Sequence, residues 1–238
     1  MTKVSVIIVH YKAPLELINL LKTIDKEYEV VVVDNDHDDV GFGAGVNAGV
    51  KKATGDFIFV IGPDSLILND AIDQLANFLT VHPEVGIVGP VLLDENKQRY
   101  PYIGTKILTP WRAICNLSFL HKFLAGDYYS TESGEVDIVP GSAFMIRKSL
   151  FSRIGGFDEK FFLYFEESDL GKRVREAGYK NYILDSAKVI HFWGKKTTAD
   201  KPINKIFIDS RRYYFRKHFG SIWEFVVELF CNPYDFYR

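Results

Sequence analysis

The first ninety residues alternate between continuous apolar runs and segments with helical spacing of apolar residues. The runs have the length and continuity of strands that are buried on both faces of a sheet, and they lie at Val4–Val9, Glu29–Val33, Asp56–Ile61 and Val85–Val88. Helices are predicted from Pro14 onward, after the glycine-rich segment Gly41–Gly49, and around Ile72–Leu79. This alternation predicts an α/β fold with a Rossmann-like, mostly parallel sheet flanked by helices.

The second half of the chain has a less regular pattern. Residues 94–135 are rich in aromatic residues and lysine without a clean period, and we predict a variable loop and helix region there. Short strands are predicted at Val136–Val139, Ala143–Arg147, Tyr182–Leu184 and Val189–His191, and a helix from about Ser168 to Ala177, ended by Gly178. An apolar stripe near the end predicts a helical tail, with Ile222, Phe225, Val226, Leu229 and Phe230 on one face.

Composition narrows the class of protein. Of the 238 residues, 47% are hydrophobic and 25% are charged, which predicts a packed core and excludes global disorder. Cys115 and Cys231 lie far apart and no signal peptide is recognisable, so we expect a reducing cytoplasm and no structural disulfide. The apolar run at Val4–Val9 is too short to cross a bilayer.

Charge is distributed unevenly along the chain. The net charge is −2, yet residues 188–238 contain ten Lys and Arg against five Asp and Glu. Arg211, Arg212, Arg216 and Lys217 precede the apolar stripe, an order that suits a helix lying on an anionic membrane surface. A helix docked on the core or on a second subunit explains the stripe equally well, and ordinary surface variation is the simpler explanation of the charge alone.

Polar residues follow the second and third predicted strands, at the sheet edge where α/β proteins bind ligands. Asp34 and Asn35 come directly after the second strand, where a carboxylate can accept hydrogen bonds from a base or a ribose. Asp64 follows the third strand and can hold a hard divalent cation bound to a diphosphate. A turn or a helix cap is the alternative for Asp34 and the commoner use of such a residue in isolation, and a turn beside Pro63 explains Asp64 equally well.

The glycine-rich segment Gly41–Gly49 allows close approach of the backbone to a phosphate. It lacks the Gly-Lys-Ser/Thr of a P-loop, and it follows the second strand rather than the first, so it is not a dinucleotide-binding fingerprint. By itself it is weak support for a nucleotide site.

Three acids open the predicted helix that follows the aromatic run Phe161–Phe165. Glu166, Glu167 and Asp169 can stabilise a helix N-terminus through its dipole, or supply a general base beside an aromatic surface. His191 stands alone at the end of a short strand, where a structural role is the commoner one.

Taken together and in order, these segments resemble the family 2 glycosyltransferases, which have a GT-A fold, and within them the rhamnosyltransferase-like branch. The matching stretches are Val4–Tyr11, Val31–Asn35, Gly41–Gly49, Asp56–Asp64 and Val136–His191. The last is the most specific, because it contains Pro140 to Arg147, Gly155 to Glu159 and Phe162 to Leu170 in sequence. The resemblance implies a GT-A domain over 1–200, with a nucleotide-binding half (1–93) and a smaller acceptor-side half (94–200), and a helical tail over 201–238.

The resemblance also implies roles for individual residues. The nucleotide would be bound by Val9, His10, Tyr11, Asp34, Asn35, Gly43, Asn47 and Asp64. Asp64 and His191 would hold Mg²⁺ or Mn²⁺, and Gly141, Ser142 and Glu166 would contact the sugar and the acceptor. Glu167 would be the general base, with Glu166 and Asp169 as the alternative acids.

The implied reaction is inverting transfer of a sugar from a nucleotide-sugar donor to a hydroxyl of a glycan or lipid-linked glycan in surface-polysaccharide biosynthesis. Rhamnose from dTDP-rhamnose is the leading donor, with a UDP-hexose as the alternative, and no nucleic-acid partner is expected. The resemblance places the protein in the cytoplasm, including the inner face of the cell membrane.

Two departures from the family pattern keep another function open. Gly62 occupies the place where the family often has the first of two metal-binding acids, and Glu166-Glu167 stands where Glu-Asp is common. These departures are compatible with a catalytically idle subunit that binds a nucleotide sugar without turnover. A nucleotidyltransferase is a weaker alternative, because the first strand is not followed by a basic, glycine-rich loop.

Overall fold

The structure is a computed structural model that describes residues 3–117, 128–192 and 203–231. Its strands are β1 (Val4–His10), β2 (Glu29–Asp34), β3 (Phe57–Ile61), β4 (Ser65–Leu68), β5 (Val85–Leu93), β6 (Gly104–Thr105), β7 (Tyr129–Ser130), β8 (Gly134–Val136), β9 (Ala143–Arg147) and β10 (Lys180–His191). Its helices are α1 (Pro14–Leu21), α2 (Phe42–Lys52), α3 (Ala71–Val81), α4 (Pro110–Leu117), α5 (Lys148–Arg153), α6 (Glu166–Glu176), α7 (Ile203–Phe219) and α8 (Ser221–Phe230). Residues 118–127 of the predicted variable region and the predicted domain boundary at residue 200 lie outside the described residues.

The main sheet is mixed. Its strand order is β2-β1-β3-β9-β5-β10-β4, and β8 also pairs with β10. β1 is parallel to β2 and β3, and β5 is parallel to β10, whereas β9 runs antiparallel between β3 and β5. The predicted parallel arrangement therefore holds for the first three strands, and β9 from the second half interrupts it. An apolar run such as Ala143–Ile146 marks a buried strand but does not indicate its direction.

Helices cover both faces of this sheet. α2, α5 and α6 pack on one face through apolar residues such as Val46, Phe151 and Leu170. α1 and α3 pack on the other face through residues such as Leu20 and Leu75. Strands from residues 1–93 and strands from residues 94–200 both contribute to the apolar clusters on the two faces of the sheet. The two predicted halves therefore share one core.

Two strands differ from their predictions. β2 was predicted to be buried on both faces, but one of its faces is exposed: Val30 and Val32 are exposed by 36% and 39%. It is also an edge strand, with a neighbour on one side only. β10 is one long strand where two pieces were predicted, with a shift in its register against β5 between Leu184 and Lys188.

The glycine-rich segment is helix α2 and not the expected loop. A Cβ atom built at Gly45 would lie 2.8 Å from Val9 Cγ1, and one at Gly49 would lie 2.6 Å from Ile7 Cγ2. Gly45 and Gly49 therefore allow the helix to pack closely on β1, a role that the sequence pattern did not indicate.

The C-terminal helices dock on the body of the protein. Phe207, Tyr214 and Phe215 of α7 and Val227 of α8 form a buried cluster with residues of α4 and with Phe161 and Phe165. Within the described ranges, no helix combines the length and apolar character needed to cross a membrane. Cys115 and Cys231 are both buried and do not form a disulfide with each other, and the Cys231 thiol donates to the Ala113 carbonyl oxygen at 3.6 Å.

The basic residues that precede the apolar stripe of the tail form ion pairs within the protein. Arg211 is buried and pairs with Glu228 of α8, while Arg212 and Arg216 both pair with Glu224. Lys217 instead forms an ion pair with Asp169 of α6. Tertiary contacts thus partly neutralise a cluster that looks uniformly basic in the sequence.

Candidate active site

A cavity of about 330 Å³ opens at the sheet edge formed by the carboxyl ends of β1 and β3. Among its lining residues are the predicted site residues Val9, Tyr11, Asn35, Asp64, Gly141, Ser142, Glu166, Glu167 and His191. His10, Asp34, Gly43, Asn47 and Asp169 are not among them. Residues that are separated by more than 180 positions in the chain therefore meet in one pocket.

Asp64 and His191 meet because β4 pairs antiparallel with the end of β10. Ser65 is opposite His191 in this register, and the Phe192 N–H donates to the Asp64 carbonyl oxygen at 2.9 Å. The Asp64 Oδ2 and His191 Nε2 atoms are 3.5 Å apart, and both side chains line the cavity. A carboxylate and an imidazole at this separation fit as two ligands of Mg²⁺ or Mn²⁺, with the remaining positions left for phosphate oxygens and water.

Gly62 leaves the space that the Asp64 carboxylate occupies. A Cβ atom at position 62 would lie 2.8 Å from Asp64 Oδ1, and the Gly62 N–H donates to the Ser142 carbonyl oxygen at 2.8 Å. The departure from the family pattern at this position therefore does not disturb the pairing of Asp64 with His191.

The two cavity glutamates lie in the first turn of α6. Tyr164 and Phe165, just before them, both have positive φ angles, +70° and +68°. Such angles are unfavourable for bulky residues and are typical of functional sites. A Cβ atom at Gly141 would lie 3.4 Å from the Glu167 Cβ, so the small residue at 141 keeps the space beside Glu167 open.

Burial raises the pKa of both glutamates. For Glu166 the charge of Glu167 adds to the effect of burial and holds the pKa well above the ordinary value of 4.5. For Glu167 burial is the main cause of the increase. The Glu166 Oε2 atom is buried and has no hydrogen-bond partner among the described residues. Burial and mutual repulsion therefore favour protonation of the pair, and most strongly disfavour the state in which both carboxylates are ionised.

Asp169 faces away from the cavity. Its carboxylate has no exposed surface and contacts Arg173 Nε at 2.8 Å, Lys217 Nζ at 2.6 Å and His218 Nε2 at 2.9 Å. Burial opposes ionisation, but the hydrogen bond from His218, the charge of Arg173 and the hydrogen bonds from Lys217 and Arg173 outweigh it and lower the pKa of Asp169 to about 2. Of the three acids that open α6, only Glu166 and Glu167 can reach a ligand in the cavity.

The ends of β1 and β2 carry a second group of possible metal ligands. One ligand atom from each of His10, Asp34 and Asp36 lies within 4.8 Å of the others. Asp34 Oδ1 also accepts a hydrogen bond from the Asp36 N–H at 2.8 Å, which is the turn role considered for it above. Asp36 was missed in the sequence, although it follows Asp34 and Asn35 directly.

Asn35 and Asn47 form hydrogen bonds within the protein. Asn35 lines the cavity, and its amide donates to the Gly41 carbonyl oxygen at 3.1 Å, which fixes the start of α2. Asn47 exchanges two hydrogen bonds of 2.9 Å with the backbone of Phe157, against which Gly43 also packs. Asn47 and Gly43 thus connect α2 to the turn at residues 155–158.

A family model described as "Glycosyltransferase like family 2" matches residues 1–212. The chain belongs to glycosyltransferase family 2. The N-acetylglucosaminyl-diphospho-decaprenol L-rhamnosyltransferase of Mycobacterium tuberculosis is 27% identical over 184 residues, which cover 68% of this chain and 58% of the relative. The dTDP-rhamnosyl transferase RfbF of Shigella flexneri is 24% identical over 213 residues, which cover 88% of this chain and 67% of the relative.

A solved structure supports the fold. This family 2 chain is similar to GalNAc-T7, solved with UDP, GalNAc and Mn²⁺, with a TM-score of 0.62 and 14% identity over 89% of this chain and 47% of the other. The predicted family and the GT-A-like fold are therefore confirmed. The chain spans somewhat more than half the length of the M. tuberculosis relative.

Several cavity residues were not identified from the sequence. Asp39 lines the cavity and accepts a hydrogen bond from the Gly41 N–H at 3.1 Å. Phe162, Leu163 and Tyr164 line it as well, and here the aromatic run before the acids was the available signal. Asp39 stands in a polar stretch, where no pattern distinguishes it from neighbouring aspartates.

Proposed function

We propose that this protein is an inverting glycosyltransferase that moves a sugar, with rhamnose from dTDP-rhamnose as the leading candidate, to a hydroxyl group of a glycan. The observation that carries the proposal is the presence of the Glu166–Glu167 pair and the Asp64–His191 pair in one cavity. One pair has the chemistry of a general base, and the other has the chemistry of a cation site for a diphosphate. The names of the two bacterial relatives support rhamnose as the donor sugar.

Glu167 is the better candidate for the base. It is only half-buried and lies beside the space left by Gly141, whereas Glu166 is buried. Glu167 therefore takes the proton of the acceptor hydroxyl as that oxygen attacks the anomeric carbon. Burial favours the protonated form of Glu166, and in that form it can donate a hydrogen bond to a hydroxyl of the sugar.

Asp64 and His191 place the diphosphate of the donor. These two residues would hold a divalent cation, which would offset the negative charge that develops on the leaving nucleoside diphosphate. The bond from the anomeric carbon to the diphosphate breaks as the bond to the acceptor oxygen forms on the opposite face of the sugar. A single base on the acceptor side suits this one-step inversion, because no covalent intermediate is required.

The outer face of α8 suggests where the acceptor is found. Ile222, Phe225 and Leu229, the α8 apolar face, are exposed by 79%, 69% and 68%. Both glutamates of this helix are turned towards arginines of α7, so the face carries no charge. We propose that it contacts a bilayer at the inner side of the cell membrane, which agrees with a lipid-linked acceptor such as the one in the name of the M. tuberculosis relative.

The decisive experiment measures release of nucleoside diphosphate from dTDP-rhamnose and a panel of UDP-hexoses, with Mn²⁺, Mg²⁺ or a chelator. Metal-dependent turnover of one donor, reduced roughly 10²–10⁴-fold in Glu167→Gln, is expected from loss of a general base. Asp64→Ala should lose the metal-dependent turnover, because a ligand of the cation is removed. Donor binding in calorimetry without turnover, even with lipid and glycan acceptors, would instead indicate an idle binding subunit.

A further inference from the structure

Helix α7 contacts the chain just before the catalytic turn of α6. The Ser210 hydroxyl donates to the Leu163 carbonyl oxygen at 2.8 Å. The ring of Phe165 packs against Phe207 and Tyr214, with centroid distances of 5.2 and 5.5 Å. The segment that lines the cavity and leads into the glutamates therefore packs against α7.

The same helix also holds α6 just after the catalytic turn. Lys217 and His218 both contact the buried Asp169 carboxylate, which Arg173 binds from within α6. Asp169 follows Glu167 by two positions, so their side chains point roughly 160° apart around the helix. The contacts from α7 thus reach the side of α6 that faces away from Glu167.

The charges in this contact are balanced. Asp158 shares Lys217 with Asp169, at 2.7 Å, and accepts a hydrogen bond from Tyr213 at 2.9 Å. Two carboxylates, of Asp158 and Asp169, therefore meet two permanent cations, of Lys217 and Arg173. Because a buried charge is stable only when it is paired, removing a partner from α7 leaves Asp169 insufficiently compensated.

We propose that three residues of α7, Ser210, Lys217 and His218, which we name the α7 clasp, position the Glu166–Glu167 pair for catalysis. The physical reason lies in the turn before α6. Two successive residues with positive φ persist only where the surroundings fix them, and α7 is the element packed behind them. Lys217 and His218 are thus positioning residues, and the inference rests on the proposed role of Glu167 as the base.

Matched variants of the full chain test the α7 clasp. His218→Leu removes the polar contact with Asp169, whereas His218→Gln retains a donor. Lys217→Met removes a paired cation, and Lys205→Met removes an exposed one from the same helix as a control. For each we would measure kcat and KM for nucleoside diphosphate release, donor Kd by calorimetry, and hydrogen exchange of the amides at 162–167.

We expect His218→Leu and Lys217→Met to lower kcat about 10-fold or more, since small misplacements of a catalytic group are costly. Donor Kd should stay within about twofold, because the donor contacts are intact, and exchange at 162–167 should accelerate. His218→Gln should retain most of the activity, and Lys205→Met should match the wild type.

Three results would overturn the proposal: unchanged kcat in His218→Leu and Lys217→Met, equal losses in His218→Leu and His218→Gln, or a donor Kd that weakens in parallel with kcat. If the wild type releases no nucleoside diphosphate with any donor, the proposed function fails on its own. Hydrogen exchange then still tests the clasp, because unchanged protection of 162–167 in His218→Leu and Lys217→Met would refute it.

Discussion

Replacing Asp169 with asparagine removes a buried negative charge while nearly preserving the shape of the side chain. Burial by itself would raise the pKa of this carboxyl, but His218, Arg173 and Lys217 together lower it from 3.8 to about 2. A difference of this size corresponds to about 2 kcal/mol in favour of the folded state when the carboxyl is ionised. Asparagine resembles the protonated carboxyl, so Asp169→Asn should lower the free energy of unfolding by about 2 kcal/mol at pH 7.

The dependence on pH follows from the direction of the shift. Because the pKa of Asp169 is lower in the folded chain than in the unfolded chain, its stabilisation is complete above the unfolded pKa of about 4. It is lost as the pH falls through the folded pKa of about 2. The difference between wild type and Asp169→Asn should therefore be the same at pH 7 and pH 5 and fall to about half at pH 3.

Urea unfolding followed by circular dichroism measures this difference at each pH. Asp25→Asn, at an exposed position, is the matched control and should change the free energy of unfolding little at any of the three. Equal stability of wild type and Asp169→Asn at pH 7 would refute the reasoning. So would a difference that persists undiminished at pH 3, because the contribution would then not come from an ionised carboxylate.

Other consequences concern the cavity and the tail. The acid limb of kcat/KM should report an apparent pKa above the ordinary glutamate value of 4.5, because burial and mutual repulsion raise the pKa values of the Glu166–Glu167 pair; a limb at or below 4.5 would contradict this. Gly62→Ala should displace the Asp64 carboxylate and lower metal-dependent turnover about 10-fold or more, and unchanged metal titration curves would show that the carboxylate has room to adjust. Replacing the α8 apolar face with serines should abolish flotation with liposomes, and flotation of the wild type should depend little on salt because Glu224 already pairs with two arginines. Failure of the wild type to float would remove the proposed membrane contact.

The local sequence pattern predicts well those strands and helices whose burial follows one simple rule along their whole length. β1 and β3 are apolar throughout because they are central strands, and α3 shows the spacing of a helix packed on one side. β4 is short and was not predicted, yet it brings Asp64 to His191. That pairing joins positions far apart in the chain, so no local window contains the information.

The candidate site shows the same division. The sequence identified the aspartate after β3, the acids that open α6 and the histidine that ends β10, because each stands at the end of a regular element. It did not distinguish Glu167 from Asp169, which share one helical turn. What distinguishes them is what packs around the turn: the cavity lies beside Glu167, and α7 lies against Asp169.

The sequence by itself determined the family, the α/β class and the residue types at the site, since periodicity and residue order record local environment. Only the tertiary structure decided the direction of β9, the use of the glycines of α2 for helix packing, and the pairing of the tail's arginines with glutamates. These features depend on which surfaces meet, and the free energy of such contacts arises between segments that are distant in the chain.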